Sequence, residues 1–391
     1  MTTFLAGQHA KTLAKVLLAT TLGLGLGCNK SSSGPSPAGS ASPEAQAPAF
    51  GLDAASNDAA VVALAKKALG CKWGTFGFDS ACPEMKAFTE STEIREGKAD
   101  ATLVSFLEDA NERVRWIGSR ALSQRGRVFR TDKALAERIV KVAEGEKSKV
   151  VAQELGGVVG GIKHTDTGLG DKIKQMAKSH DLLQMRTSLL ARMLFANGDT
   201  LYDFVKDIAA NDKDIIVRKA AMSAFWTGTT PNKIADSCAM WLGFVDDPIE
   251  DVAGEAAYLC SFYPQGGGCK AEWDPLLDKI EKRAKSGELK STQLAAALAY
   301  LQKQPGASEA QRKRALAVAR QIAENPSNGG MARGRALELV AEKDPEAKKL
   351  LEKLKDDNDV FVKSRAKDLA ERAAKNEGAP RPFTPARGSA P

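Results

Sequence analysis

The feature that most constrains the fold is a helical apolar pattern that recurs along most of the chain. In eight windows an apolar residue is followed, four and eight positions later, by mostly small or apolar residues, as at Val217, Ala221 and Phe225. Residues with this spacing lie on one face of an α-helix. The windows begin at Val114, Val151, Met185, Val217, Val252, Leu294, Ala332 and Val362, which lie 30 to 42 residues apart. Such a period indicates a chain built from repeated structural units.

Each window follows another amphipathic segment, so the repeating unit is predicted to be a pair of helices. These first segments include residues 102–108, 133–142, 201–209, 233–244 and 275–284. Four dipeptides place a capping oxygen before a proline, and we expect a helix to begin at each: Thr230-Pro231, Asp247-Pro248, Asp274-Pro275 and Asp344-Pro345. Only 6% of the residues are aromatic, which favours helices packed through small side chains. The sequence therefore predicts an all-α fold.

Three windows carry a more specific signature. Residues 109–122 read DANERVRWIGSRAL, residues 212–225 read DKDIIVRKAAMSAF and residues 356–369 read DDNDVFVKSRAKDL. They resemble the second helix of HEAT repeats, in which an Asp precedes a Val-Arg pair and then Ala and Leu on one stripe. The resemblance covers residues 97–375 and implies a right-handed superhelical solenoid of about eight HEAT-like helix pairs, with the second helices on a concave, partner-binding side. Tetratricopeptide repeats have a similar period, but their Trp, Gly, Tyr and Pro spacing is not visible.

The first 27 residues have the zones of a secretory signal peptide. A stretch with two lysines precedes an apolar run from Val16 to Leu26, which is far shorter than the roughly 20 residues that span a bilayer. The run LGLGC that ends at Cys28 resembles the bacterial lipobox, and this resemblance implies that Cys28 is lipidated and becomes the mature N-terminus. The alternative is ordinary cleavage near Gly27, which leaves Cys28 as a free thiol.

The regions beside the repeats are predicted to be simpler in structure. Residues 28–54, rich in Ser, Gly, Pro and Ala, are expected to form a disordered tether, and residues 376–391 a disordered tail. In enterobacterial lipoproteins an Asp after the lipidated Cys favours the inner membrane, whereas here Asn29 follows. The resemblance therefore implies a lipid-anchored protein of the bacterial cell envelope, at the outer membrane, on its periplasmic or surface face.

Five cysteines follow Cys28, and export favours disulfide bonds between them. Residues 55–96 are predicted to form an N-terminal helical cap, with a turn-rich loop closed by a Cys71–Cys82 bond. The other three cysteines allow three pairings. We favour Cys260 with Cys269, because a run of three glycines before Cys269 lets the chain double back, and expect Cys238 to be buried. No metal site is expected, since no C-x-x-C motif occurs and His164 and His180 lie in different segments.

Two groups of residues are candidates for partner binding. Basic residues follow four of the window positions, at Arg115, Arg186, Arg218 and Lys363. One interpretation is a basic row that binds an acidic peptide. The other, which we favour because such pairs are common in HEAT repeats, is ion pairs with Asp109, Asp181, Asp214 or Asp359 of adjacent repeats. The second group lies in an insertion over residues 262–273, where Tyr263 and Trp273 either contact a partner or cover the nearby disulfide.

The sequence favours binding over catalysis. The formal net charge is +7, of which the mature chain keeps about +5, and no dense basic stripe suggests nucleic acid. Neither G-x-S-x-G, a P-loop nor H-E-x-x-H occurs, so no enzyme activity or cofactor is expected. The glycine pairs at 156–157 and 160–161 lie within a helical period and indicate close helix packing. We therefore predict an envelope-anchored scaffold that binds a protein or peptide partner. One alternative is an exported HEAT-like enzyme or accessory subunit with a pocket on the concave face, since bilin lyases contain similar repeats. Another alternative is a structural spacer of the envelope.

Overall fold

The computed structural model describes residues 58–262 and 268–375, and their structure is predominantly helical, which confirms the prediction of an all-α fold. The first part consists of α1 (Ala59–Ala68), a hairpin of β1 (Trp73–Gly74) and β2 (Gly77–Phe78), α2 (Pro83–Thr89) and α3 (Thr92–Arg95). The two short strands are antiparallel, with Trp73 opposite Phe78. Their aromatic rings contact each other and Trp116 of the following helix pair, so the hairpin covers the start of the helix pairs.

From Asp100 to Ala374 the helices alternate as first and second members of successive pairs. The pairs are α4 (Asp100–Leu107) and α5 (Glu112–Arg125), α6 (Lys133–Gly145) and α7 (Lys149–Gly160), α9 (Gly170–Ser179) and α10 (Leu183–Asn197), α11 (Tyr202–Asn211) and α12 (Ile215–Gly228), α13 (Ile234–Phe244) and α14 (Glu250–Phe262), α15 (Trp273–Ser286) and α16 (Thr292–Lys303), α17 (Glu309–Glu324) and α18 (Gly330–Lys343), and α19 (Ala347–Leu354) and α20 (Val360–Ala374). A single turn, α8 (His164–Thr167), follows α7. Each residue that opens a predicted apolar window is buried on a second helix.

Polar side chains cap many of these helices, although not at the predicted prolines. In the described ranges, eight helices have an N-cap side chain that accepts a backbone hydrogen bond: Asp58, Asn111, Asp132, Ser148, Asp214, Ser291, Ser308 and Asp359. The helix starts predicted at the four proline dipeptides are wrong by a few residues. For example, α13 begins at Ile234, after a 3-10 turn at Pro231–Lys233, and α14 begins at Glu250 rather than Pro248. One oxygen of the Asp247 carboxylate accepts the backbone amide of Ile249, directly before α14, at 2.9 Å, and the other binds Arg218 of the preceding pair.

The second helices α5, α7, α10, α12, α14, α16, α18 and α20 lie side by side, each in contact with the next, and we call them the second-helix row. The backbones approach closely where glycine replaces a side chain. A Cβ atom at Gly156 of α7 would lie 2.6 Å from the carbonyl oxygen of Met185 on α10, and one at Gly160 would lie 2.3 Å from that of Leu189. Both distances are shorter than a normal contact, so these glycines allow the close helix packing that the sequence indicated.

Buried arginines connect the pairs in a repeated arrangement that we call the arginine ladder: Arg186 with Asp212, Arg218 with Asp247, and Arg333 with Asp357. In each case Nε donates to a carbonyl oxygen near the end of the first helix of the same pair, at 2.9 to 3.0 Å. The guanidinium then binds an aspartate that precedes the next second helix. All six side chains are at most 12% exposed. The ladder therefore links consecutive pairs through charge as well as through apolar contact.

Candidate partner-binding surface

An aromatic cluster crosses three neighbouring members of the second-helix row. It consists of Trp226 on α12, Tyr258 and Phe262 on α14, and Tyr300 on α16. Phe262 contacts all the other rings, with centroid distances of 5.5 Å to Trp226, 5.7 Å to Tyr258 and 5.1 Å to Tyr300. Trp226 is buried beneath, while the other three rings are partly exposed. The exposed parts form one apolar surface that carries phenol hydroxyls.

A polar group anchors this cluster on its α12 side. Glu255 of α14 is 7% exposed and lies 3.9 Å from the Lys219 ammonium of α12. Its carboxylate also accepts hydrogen bonds from the Ser223 hydroxyl at 3.1 Å and the Gln293 amide at 2.9 Å. These bonds tie together the same three helices that carry the aromatic rings. The surface is thus held rigid, which reduces the entropy lost when a partner binds.

The environment of Tyr258 keeps its hydroxyl protonated. Burial raises the pKa of this phenol, and the neighbouring Tyr300 and Glu255 raise it further. A tyrosine is neutral at physiological pH in any case, and the raised pKa extends the neutral range of Tyr258 to alkaline pH, so its hydroxyl donates and accepts hydrogen bonds there too. A neutral ring with a polar edge suits contact with peptide groups and apolar side chains of a partner.

The predicted basic row contributes to the fold and is largely buried. Arg186 and Arg218 belong to the arginine ladder, and Arg115 donates from Nε to Glu146 at 2.8 Å. Lys363 is partly exposed on α20. Each of the three arginines forms an ion pair with a carboxylate of the adjacent helix pair, the kind of interaction that we favoured, and their burial does not support a basic cradle for an acidic peptide.

The acidic partners in these pairs differ from those predicted. The carboxylates are Glu146, Asp212 and Asp247, not Asp109, Asp181 or Asp214. Asp214 and Asp359 are N-cap residues of their helices. Asp181 lies at the surface, 3.5 Å from the Lys147 ammonium. Asp109 accepts a hydrogen bond from Arg115 through its carbonyl oxygen and not through its carboxylate. The capping carboxylates lie at the N-terminal ends of the second helices. The carboxylate that faces each arginine belongs to the loop residue two positions before the N-cap position. Sequence reasoning also missed Arg333, which follows the window residue Ala332 as Arg218 follows Val217.

Tyr263 and Trp273, in the insertion over residues 262–273, were predicted either to contact a partner or to cover the nearby disulfide. Trp273 begins α15, is 2% exposed, and its indole N–H donates to the Cys260 carbonyl oxygen at 3.4 Å. The burial of this ring favours the second alternative, in which it packs against the neighbouring helix pair, over contact with a partner. Tyr263 and the predicted lipidation site Cys28 lie outside the described residues. Trp226, which ends α12 in the core, instead supports the nearby aromatic cluster.

Two disulfide bonds are present in the described residues. Cys71 pairs with Cys82, as predicted, and closes the loop that contains the β-hairpin. The predicted Cys260–Cys269 bond is wrong, since Cys269 pairs with Cys238 of α13. Cys260 belongs to the buried stripe of α14 with Val252 and Ala256, so its sulfur faces the core. It is a free thiol, and burial raises its pKa, which makes it a poor nucleophile.

The histidines in the described part of the chain have structural partners. His164 Nδ1 lies 2.7 Å from the Asn197 side-chain oxygen. His180 Nε2 lies 2.9 Å from the Ala143 carbonyl oxygen, and its Nδ1 accepts the Leu182 amide at 3.0 Å. One group with metal-binding atom types occurs in this part, Cys71, Cys82 and Glu84, but both sulfurs belong to the disulfide bond. The aromatic surface, rather than these groups, is the candidate site.

Comparison with known proteins does not assign the chain. No family model matches it, and no curated protein matches its sequence. Across the two described ranges, no helix has both the length and the apolar character needed to cross a membrane. The candidate function therefore depends on the geometry of the second-helix row and on the chemistry of its exposed side chains.

Proposed function

We propose that this protein is a lipid-anchored scaffold of the bacterial cell envelope that binds a protein or peptide partner on its second-helix row. The observation that carries the proposal is the partly exposed aromatic cluster on α12, α14 and α16. Tyrosine and tryptophan are enriched among the residues that dominate binding energy at protein interfaces. Here they lie on three rigidly connected helices, as a preorganised binding surface requires.

In this proposal the helix pairs are eight HEAT-like repeats that form a right-handed superhelix with the second helices on its concave side. Two features support it. Consecutive second helices are in contact along the whole row, as in solenoids that bury their apolar faces only against neighbours. The arginine ladder also repeats the same connection from pair to pair, at Arg186, Arg218 and Arg333. A curved row would let a partner contact the aromatic cluster and neighbouring helices together.

Attachment at Cys28 would place this surface beside the membrane. Replacing Cys28 with alanine is expected to abolish incorporation of a fatty-acid probe and to move the protein from the membrane fraction to the soluble fraction. The reason is that the lipid chains, rather than a membrane-spanning helix, would provide the attachment. Metabolic labelling followed by fractionation measures both effects. A matched Cys260→Ala variant should keep its label, and equal labelling of the wild type and Cys28→Ala proteins would contradict the lipid anchor.

The aromatic surface can be tested by truncating its exposed rings. Tyr258→Ala and Tyr300→Ala are each expected to reduce recovery of the specific partner at least about tenfold, because central aromatic residues commonly contribute 2 kcal/mol or more to binding. The measurement is quantitative affinity capture of the full-length protein from solubilised membranes, with circular dichroism to verify that each variant keeps its helix content.

A matched control distinguishes specific binding at the aromatic cluster from non-specific apolar binding. Phe361 on α20 is 62% exposed and lies far along the chain from the cluster, so Phe361→Ala should leave partner recovery unchanged. If the same partners are recovered with all three variants, the aromatic cluster does not form the interface. A loss that is equal for Phe361→Ala and Tyr300→Ala would also contradict the proposal, since it would indicate non-specific apolar binding.

A further inference from the structure

Arg130 and Arg192, near the first helix pairs, belong to the minority of arginines in the described residues that have no carboxylate partner. Arg130 follows α5, and Arg192 is exposed on α10. Among the described residues, no carboxylate oxygen lies within 4.0 Å of either guanidinium, whereas the ladder arginines and the exposed Arg138 all have one. The Arg130 guanidinium lies over the Phe129 ring, and its Nε is buried without a hydrogen-bond partner. A buried donor without a partner is unfavourable and marks a place where a ligand can supply an acceptor.

Both arginines line one recess at the surface of the second-helix row. Its other lining residues include Ser123 of α5, Gly157 of α7 and Phe195 of α10, and the recess is small. A Cβ atom at Gly157 would lie 3.4 Å from the Ser123 hydroxyl and 3.9 Å from Cγ of Arg192. Glycine at this position therefore keeps the floor of the recess open between the hydroxyl and the arginine.

The charges that face Arg130 leave an excess of positive charge. Arg192 and Arg127 lower the pKa of Arg130, in addition to the larger effect of its burial, while Asp100 acts in the opposite direction. One oxygen of the Asp100 carboxylate is already occupied by the backbone amides of Arg127, Val128 and Phe129, at 2.7 to 3.2 Å. Around Arg130, the cationic side chains of Arg127 and Arg192 thus outnumber the single carboxylate of Asp100. The neighbouring Arg120 and Glu154 neutralise each other in an ion pair at 2.8 Å.

We propose that this recess binds a phosphate group, held by the guanidiniums of Arg130 and Arg192 and by the Ser123 hydroxyl. Two unpaired guanidiniums match the roughly two negative charges and the several acceptor oxygens of a phosphate better than the single charge of a carboxylate. Phe195 is 60% exposed beside the arginines, so it offers an apolar surface to the organic part of a phosphate ester. The site lies on α5, α7 and α10, apart from the aromatic cluster, and does not depend on the partner-binding proposal.

Isothermal titration of the full-length protein, in a buffer of low ionic strength without phosphate, tests this site. Inorganic phosphate, phenyl phosphate and acetate are the probes. Phosphate is expected to bind in the millimolar range, phenyl phosphate more tightly because of Phe195, and acetate at least about tenfold more weakly than phosphate. Phenyl phosphate that binds more tightly than phosphate identifies a phosphate ester as the source, and equal affinities identify free phosphate.

Variants connect the binding to the recess. Arg192→Gln removes an exposed side chain and is expected to weaken phosphate binding at least about tenfold without loss of helix content. Arg125→Gln, an exposed arginine of α5 that does not line the recess, is the matched control and should bind as the wild type does. Tyr300→Ala should also leave phosphate binding unchanged, so the two proposals can fail separately. Absence of binding at millimolar phosphate, equal affinity for acetate, or unchanged binding in Arg192→Gln would each overturn the assignment.

Discussion

Replacing Arg333 with alanine is expected to lower the free energy of unfolding by about 3 to 5 kcal/mol, since removing one member of a buried ion pair leaves an uncompensated charge. Arg333 is 2% exposed; it donates to both oxygens of Asp357, at 3.0 and 2.6 Å, and to the Ala323 carbonyl oxygen at 3.0 Å. The substitution removes all three bonds at once. Because this arginine connects α17, α18 and the loop before α20, the last helix pair should lose its attachment first. Denaturant unfolding followed by circular dichroism measures the change.

An exposed pair of the same geometry provides the control. Arg138 donates to both oxygens of Glu108, at 2.8 and 2.7 Å, but both side chains are 41% exposed. Water already solvates these charges, so Arg138→Ala should lower the free energy of unfolding by no more than about 1 kcal/mol. If the two substitutions destabilise the protein equally, burial is not the reason that the ladder stabilises this fold.

The stabilisation by Arg333 should also depend on pH. The hydrogen bonds from Arg333 hold the pKa of Asp357 below its ordinary value of 3.8. A carboxylate with a lowered pKa in the folded protein contributes stability above the ordinary value, and this contribution disappears as pH falls through the lowered one. The difference in unfolding free energy between the wild type and Arg333→Ala should therefore be constant near neutral pH and narrow below about pH 3.8. A difference that stays constant down to pH 2 would argue against this coupling.

Replacing Gly156 with valine is expected to lower the free energy of unfolding by about 3 kcal/mol, because the new side chain would force α7 and α10 apart. A Cβ atom at this position would lie 2.6 Å from the Met185 carbonyl oxygen and 3.1 Å from the Leu189 amide nitrogen. Both are backbone atoms, which cannot move aside as the end of a side chain can. Thermal and denaturant unfolding of the variant and the wild type measure this loss of unfolding free energy.

The same substitution at Gly243 is the matched control. Gly243 lies within α13, and a Cβ atom there would meet nothing within 4 Å. Gly243→Val should change stability by no more than about 0.5 kcal/mol, since valine is slightly better than glycine in a helix and has no clash to offset that gain. Similar destabilisation at both positions would mean that helix propensity, rather than contact between helices, decides the outcome.

The positions of the core could be predicted because they depend on local periodicity. Val151, Val217 and Val252 each open a predicted window, and each is completely buried on a second helix. The spacing of four and eight residues places a stripe on one helix face whatever the neighbouring chain does. For the same reason the sequence indicated that Gly156 and Gly160 serve close packing, and in the structure both lie against the backbone of α10.

The pairing of polar groups could not be predicted in the same way. Arg186 was expected to bind an aspartate of an adjacent repeat, but the choice between Asp212 and Asp214 depends on which carboxylate the turn directs inward. Likewise, the glycine run before Cys269 allowed a bond to Cys260, whereas the path of the loop brings Cys269 to Cys238. Such pairings require distances of a few ångströms between segments whose relative placement is not a local property.

By itself, the sequence determined that the chain is helical, that its helices come in pairs and which face of each second helix is buried, because side-chain spacing along a helix sets these properties locally. Only the tertiary structure decided which side chains meet across helices. Tyr258 and Tyr300 contact each other although 42 residues separate them, and Arg130 and Arg192 line one recess from different pairs. Contacts of this kind arise when neighbouring pairs pack together to bury their apolar stripes, and that packing brings the exposed groups of different helix pairs onto one surface.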